Sequence, residues 1–358
     1  MSVRLATAAL LLVLWHGAAW AQGFAGLGSD ADGFALPERG YAFDFPADHG
    51  AHPGFRIEWW YLTANLTGED GRDYGLQWTL FRSALRPGET GSETGWDSGQ
   101  LWMAHAALTT PTEHHFAEKL ARGGVGQAGV QAAPFHAWID DWELIDRSGN
   151  PESGISDLSL RAASDVFAYD VTLSAGGPLI FHGDKGYSVK SANGQASYYF
   201  SQPFYGLSGT ISVDGRQVPV TGSAWLDREW SSQPLASDQS GWDWVSLHLS
   251  GGERLMGFRL RSDDGAHFTS ATWIGPDGET TSFGDGHLTM TPLEDASVGG
   301  RDVPVRWQVE LPDKGIDVTI SALNDQAWMG TTFAYWEGPV RILGTHDGQG
   351  YLEMTGYD

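Results

Sequence analysis

Apolar and polar positions alternate with period two along many short runs of this chain. Trp59 to Leu66, Tyr74 to Arg82, Leu101 to Leu108, Phe167 to Leu173, Trp242 to Leu249 and Arg254 to Arg261 all follow this rhythm or end in glycine-rich turns. Successive side chains of an extended strand point to opposite faces, so the pattern predicts strands half-covered by a core. Turn signals fall between the runs or at their ends: Glu69-Asp70-Gly71, Asp214-Gly215, Ser250-Gly251-Gly252, Asp264-Gly265 and Pro276-Asp277-Gly278. Leucine-rich helical stripes are scarce. The expected fold class is all-β, antiparallel sheet closed into barrels.

One of these hairpins occurs twice. Trp59-Trp60-Tyr61-Leu62-Thr63-Ala64-Asn65-Leu66-Thr67-Gly68 lies over Trp242-Asp243-Trp244-Val245-Ser246-Leu247-His248-Leu249-Ser250-Gly251 with identical or similar residues at most ends and faces. Each is followed by a second run of related pattern, Gly75 to Arg82 and Gly257 to Arg261. Two related halves follow from this. Their junction is expected between Ser231 and Gln239, where Pro234 and small polar residues interrupt the alternation, giving domains 22–233 and 234–358 after a segment 1–21.

That first segment changes the compartment. Arg4, the apolar run Leu5 to Trp15 and Ala19-Trp20-Ala21 have the form of a cleavable signal peptide. No run reaches the ~20 uncharged residues of a membrane helix. The expected protein is exported, periplasmic or secreted, with no transmembrane segment. It has no cysteine, so core burial and not disulfides must hold it. A net charge of −24 repels nucleic acid and anionic membrane faces, which excludes both as expected partners. Seventeen tryptophans and 48 glycines suit tight turns joining strands that pack large flat side chains, either as barrel filler or as the lining of an apolar ligand cavity.

The densest polar cluster is Gly222 to Pro234. In an extended chain Trp225, Asp227 and Glu229 share one face, and Leu226, Arg228 and Trp230 share the other. Carboxyls buried beside an indole can keep a proton for acid/base work; pairing with Arg228 is the plainer alternative. Glu58, before Trp59-Trp60-Tyr61, is a third acid. Its counterpart in the repeat is Gly241, whereas Trp60 is matched by Asp243, so each half has an acid the other lacks. Asp243 lies between Trp242 and Trp244 and is expected to face outward if those indoles face the barrel. His105 shares a strand face with Leu101, Met103 and Ala107, as a hydrogen-bonded core histidine or a ligand contact. His114-His115 and His182 lack zinc-site spacing, and no H-E-x-x-H, nucleophile elbow, phosphate loop or dinucleotide fingerprint is present, so no metal and no cofactor are expected.

Glu58-Trp59-Trp60-Tyr61, Met103-Ala104-His105, Lys185-Gly186-Tyr187-Ser188, Ala196 to Pro203, Gly222 to Leu235 and Gly350 to Tyr357 together resemble the carotenoid 1,2-hydratase/AttH-like family of lipocalin-like secreted proteins. The resemblance implies two tandem lipocalin-like (calycin) β-barrels and cofactor-free addition of water to an isoprenoid double bond, a hydro-lyase chemistry; fungal relatives cyclise polyenes. It implies that Asp227 protonates the alkene, with Trp225 where a tyrosine is usual. Tyr198 and Phe200 align where the hydratases carry a histidine and a tryptophan, and Arg228-Glu229-Trp230-Ser231 also departs from them, which places the chain nearer the AttH-like branch. The expected catalytic set is Asp227, Glu229 and Glu58. The expected substrate contacts are Trp225, Trp60, Tyr61, His105, Tyr198, Phe200, Trp244 and Asp243. The expected partner is a hydrophobic small molecule, either transformed or, as the alternative, only carried.

Overall fold

A computed structural model describes residues 31–88, 95–213 and 215–357. Residues 1–21, the segment expected to be a signal peptide, lie outside the described residues. Among those described, two antiparallel sheets account for nearly all regular structure, the first a nearly closed barrel and the second a half-barrel. The barrel runs in the order His114–Arg122, Gln100–Thr109, Asp73–Ala84, Ile57–Gly68, Arg216–Ser231, Ala196–Val213, Phe167–Ala175, and on to Ala128–Gln131. The half-barrel runs Thr280–Phe283, His267–Ile274, Arg254–Ser262, Gln239–Leu249, Gly348–Thr355, Tyr335–Gly344, and on to Thr289–Val298. The first sheet's strand Arg216–Ser231 and the second sheet's strand Gln239–Leu249 are consecutive, joined by the stretch around Pro234. No helix among the described residues is long and apolar enough to cross a membrane.

Alternation decides which residues face which core. In Ile57–Gly68 the even positions Trp60, Leu62, Ala64 and Leu66 fill the barrel with Leu76, Trp78, Leu80, Leu226 and Trp230. The odd positions Trp59 and Tyr61 pack outside it, in a cluster shared with Trp244, Phe258 and Leu260 of the second sheet. Covered on both faces, this strand loses the in/out burial alternation of a solvent-facing sheet. In Gln239–Leu249 the positions Val245, Leu247 and Leu249 fill the half-barrel with Trp336, Leu352 and Met354, and the tryptophans take the other face.

The two sheets therefore meet through the outer faces of their repeated hairpins. Asn65 Nδ2 donates to the Gly350 carbonyl at 2.8 Å, and Asn324 Nδ2 to the Thr110 carbonyl at 3.0 Å, both across the joint. Gly75 is required there because a Cβ at this position would stand 2.5 Å from the Pro339 ring. Both sheets turn apolar residues inward and place a mixed aromatic and acidic surface at the joint.

Candidate active site

A cavity of about 300 Å³ lies in that joint. Its volume sits at the lower end of small-molecule sites. The barrel supplies Trp59, Tyr61, Phe81, His105, Tyr199, Asp227 and Glu229; the half-barrel supplies Trp242, Trp244, Phe258, Tyr335 and Glu353. Phe333 lines it too and is exposed, marking its mouth. Tyr61 and Trp244, matched positions of the repeat, meet edge to face across the joint with centroids 5.3 Å apart.

Asp227 is the most elaborately held group on this wall. Tyr199 Oη donates to its Oδ2 at 2.7 Å, Trp225 Nε1 donates to Oδ1 at 2.5 Å, and the Ser201 hydroxyl also donates to Oδ1. Trp244 Nε1 in turn donates to the Tyr199 oxygen at 3.1 Å, so the second sheet steadies one of the donors to Asp227. Burial opposes the charged form more strongly than these three donors favour it, and the nearby Glu229 adds a like charge. The carboxyl is pushed up to about 7. Behind it, His182 Nε2 lies 2.6 Å from the Ser201 hydroxyl and Nδ1 lies 2.9 Å from that of Thr272. Burial holds this imidazole well below its usual value, so it is neutral.

Glu229 shares the Asp227 face but is differently committed. Its Oε1 sits 2.8 Å from Lys190 Nζ and accepts from the Ser197 hydroxyl. The ammonium is itself wedged over the Tyr199 and Phe258 rings. Glu353 enters from the second sheet, where Trp242 Nε1 donates to Oε1 at 2.5 Å; burial raises it to about 7. Glu337 lies behind it, pushed well up by burial and by the charge of Glu353, and its Oε1 accepts from Tyr61 Oη at 2.5 Å. His105 closes the wall with Nδ1 at 2.9 Å from Tyr335 Oη and Nε2 at 3.1 Å from Glu118 Oε1.

Asp227, Glu229, Tyr61, His105 and Trp244 thus come together in one cavity, with Trp225 beside Asp227. Five other expected residues do not join them, and strand parity is the reason. Glu58 points into the barrel, with Oε1 2.6 Å from Arg82 Nε, Oε2 3.5 Å from Arg228 and Oε2 2.9 Å from His52 Nδ1. Those cations hold its carboxyl well below the usual range although it is fully buried. It is the counterion of a buried arginine pair and not a partner of Asp227. Trp60 is in the same interior, under the Arg228 guanidinium at 3.9 Å. Tyr198 and Phe200 also face the barrel core; the adjacent Tyr199 and Ser201 are the ones that reach Asp227. Asp243 turns into the half-barrel, where Arg259 lies at 2.8 Å and Arg261 and Tyr357 also bind it, because Trp242 and Trp244 take the cavity side.

Tyr199, Ser201, His182, Lys190, Tyr335 and Glu353 are site residues outside the expected set, although Tyr199, Ser201 and Glu353 lie within the runs that carry the family resemblance. The register of the repeat contains a signal for two of them. Tyr61 stands opposite Asp227, and the matched Trp244 stands opposite Glu353; one strand further, Glu229 stands opposite Tyr199 and Thr355 opposite Tyr335.

Residues 36–357 match the AttH-like family model. The chain belongs to the AttH-like family. Among solved structures, this AttH-like chain is similar to an AttH from Nitrosomonas europaea, with 32% identity over 91% of this chain and 100% of the other and a TM-score of 0.80. It also shares its fold with kievitone hydratase from Nectria haematococca, at 16% identity over 91% and 98% of the two chains and a TM-score of 0.64. Comparison with curated protein sequences returns no match. The antiparallel all-β architecture expected from the alternation, and the lipocalin-like form implied by the resemblance, are observed, with a half-barrel in place of a second closed barrel.

Proposed function

We propose that the chain is an exported catalyst, periplasmic or secreted, that works by cofactor-free acid/base chemistry on an alkene of a hydrophobic isoprenoid or polyene-like molecule, hydrating it or isomerising or cyclising it. The observation that carries this is Asp227: a buried carboxyl poised to be protonated near neutral pH and opening on an aromatic cavity. In hydration the Asp227 proton forms a C–H bond with one alkene carbon, the other becomes cationic, and water forms the C–O bond and releases a proton. Aromatic faces around the cavity stabilise the cation. Tyr199, Ser201 and Trp225 fix the carboxyl and stabilise the carboxylate that each turnover leaves. The negative Glu229, neutralised in part by Lys190, favours keeping the proton on Asp227. The fold shared with a protein named a hydratase supports this reading; fold alone does not fix a reaction.

The largely aromatic lining also favours a second reading, a lipocalin-type carrier that holds the ligand unchanged. Native mass spectrometry and solvent extraction of the protein from its own compartment separate the two, comparing wild type with Asp227→Asn. The catalyst accumulates unmodified alkene on the variant and a hydrated or rearranged product on wild type. The same unmodified lipid on both makes the protein a carrier.

A further inference from the structure

Water that traps a cation must lose a proton, and on the acid wall the groups that could accept it are the Asp227 carboxylate just formed and Glu229. Glu229 Oε1 is already shared by an ammonium and a hydroxyl. The opposite wall has a different construction. Glu118 and His105 are cross-strand neighbours on the barrel, in direct register. Glu118 is further gripped by the Thr332 backbone N at 2.9 Å and the Thr332 hydroxyl at 2.8 Å, so the second sheet's connection fixes it in place. A carboxylate on one ring nitrogen makes that nitrogen the N–H donor and leaves the other as acceptor. His105 Nε2 then donates to Glu118, and Nδ1 accepts from Tyr335 Oη, which also faces the buried Glu337 carboxyl. The ring is wedged between Phe81, 5.3 Å away and tilted edge-on, and Tyr335 at 5.6 Å, so it cannot turn.

Resting on the proposed function, we infer that Tyr335, His105 and Glu118 form the proton-accepting relay of this cavity, with Tyr335 as the catalytic residue that takes the proton from the attacking water. As the water oxygen bonds to the cationic carbon, its proton passes to the Tyr335 oxygen and the Tyr335 proton passes to His105 Nδ1. The resulting imidazolium is held by the Glu118 carboxylate. One proton has left Asp227 and one has reached His105; return of the latter to Asp227 through cavity water closes the cycle with no co-reactant. Glu118 acts through His105 and is a positioning residue. Burial keeps His105 neutral at rest, and the His105 hydrogen bond, with the Thr332 contacts, holds Glu118 down to about 2, which agrees with these roles. Tyr335 matches Tyr199 in the register of the two halves, and the two hydroxyls are put to opposite uses: Tyr199 donates to the acid, Tyr335 to the base.

The test uses the whole protein with citronellol, a terminal isoprenoid alkene, in deuterium oxide enriched in oxygen-18. Wild type should exchange deuterium into recovered alkene and form oxygen-18 alcohol. Tyr335→Phe should keep the exchange, since Asp227 delivers a deuteron and can take a protium back from the cation, and lose alcohol formation by about 10²-fold or more. Nitrogen-15 NMR should show His105 as the Nε2–H tautomer, and Glu118→Gln should mix the tautomers. Undiminished hydration by Tyr335→Phe, or an Nδ1–H tautomer in wild type, overturns the relay alone. A wild type that neither exchanges nor hydrates overturns the proposed function and the relay with it.

Discussion

On the barrel wall Tyr61 stands opposite Asp227, and on the half-barrel wall Trp244 stands opposite Glu353. The backbone plan is the same, and both carboxyls are pushed up to about 7 by burial. The surroundings differ. Asp227 has three side-chain donors and a histidine-backed hydroxyl, whereas Glu353 receives the Trp242 indole and lies beside a second buried acid, Glu337. The matched tyrosines serve different masters. A duplicated hairpin has thus kept its register and diverged in its side chains, so that the acid wall carries a preorganised proton donor. Beneath the surface the halves agree again: each inner face holds one buried carboxylate against two arginines, Glu58 with Arg82 and Arg228, and Asp243 with Arg259 and Arg261.

The largest effect should break the symmetry of the walls. Asp227→Asn is expected to lower product formation about 10²–10⁴-fold, while Glu353→Gln lowers it by less than about tenfold, both measured as turnover of the ligand recovered from the protein. Comparable in energy, but in stability and not activity, Glu58→Gln leaves two buried guanidinium groups, and Asp243→Asn two partly buried ones, without their carboxylate. The first should cost about 3–5 kcal/mol in urea unfolding and the second less, with the ligand bound by the surviving folded protein unchanged. A third effect concerns pH. Asp227 and Glu353 bind a proton more tightly folded than unfolded, so each contributes stability that is full below an unfolded value of about 4 and is lost as pH rises towards about 7. Unfolding free energy should fall across that window by up to about 1.4 kcal/mol per pH unit for each carboxyl, and Asp227→Asn or Glu353→Gln should each flatten it. The smallest effect sharpens the donor count: Trp225→Phe removes one donor to Asp227 and should raise its titration midpoint by about one pH unit.

Much of this was legible from alternation. The parity of Gly222 to Pro234 placed Trp225, Asp227 and Glu229 on one face and Leu226, Arg228 and Trp230 on the other, as observed. Parity alone cannot say which face meets the core. Glu58 and Trp60 alternate with Trp59 and Tyr61, and only the docking of the second sheet made the odd face the cavity and the even face the barrel interior. The same one-residue step separates Tyr198 and Phe200 from Tyr199 and Ser201, and Asp243 from its flanking tryptophans. His182, set aside because it lacks metal spacing, backs Asp227 through a hydroxyl, a role that leaves no spacing signature. Tyr335 and Glu353 are distant in sequence from every acid of the first half, and only sheet docking unites them with Asp227.

The central claim is that Asp227 takes up its proton near neutral pH inside the cavity. Carbon-13 NMR of the labelled aspartate side chain, assigned with Asp227→Asn and titrated in the ligand-free protein, tests it without knowledge of the substrate. A midpoint of about 7 is the predicted result. A midpoint near 4, the range of an ordinary solvated aspartate, would contradict it and remove the proton donor from the proposed reaction.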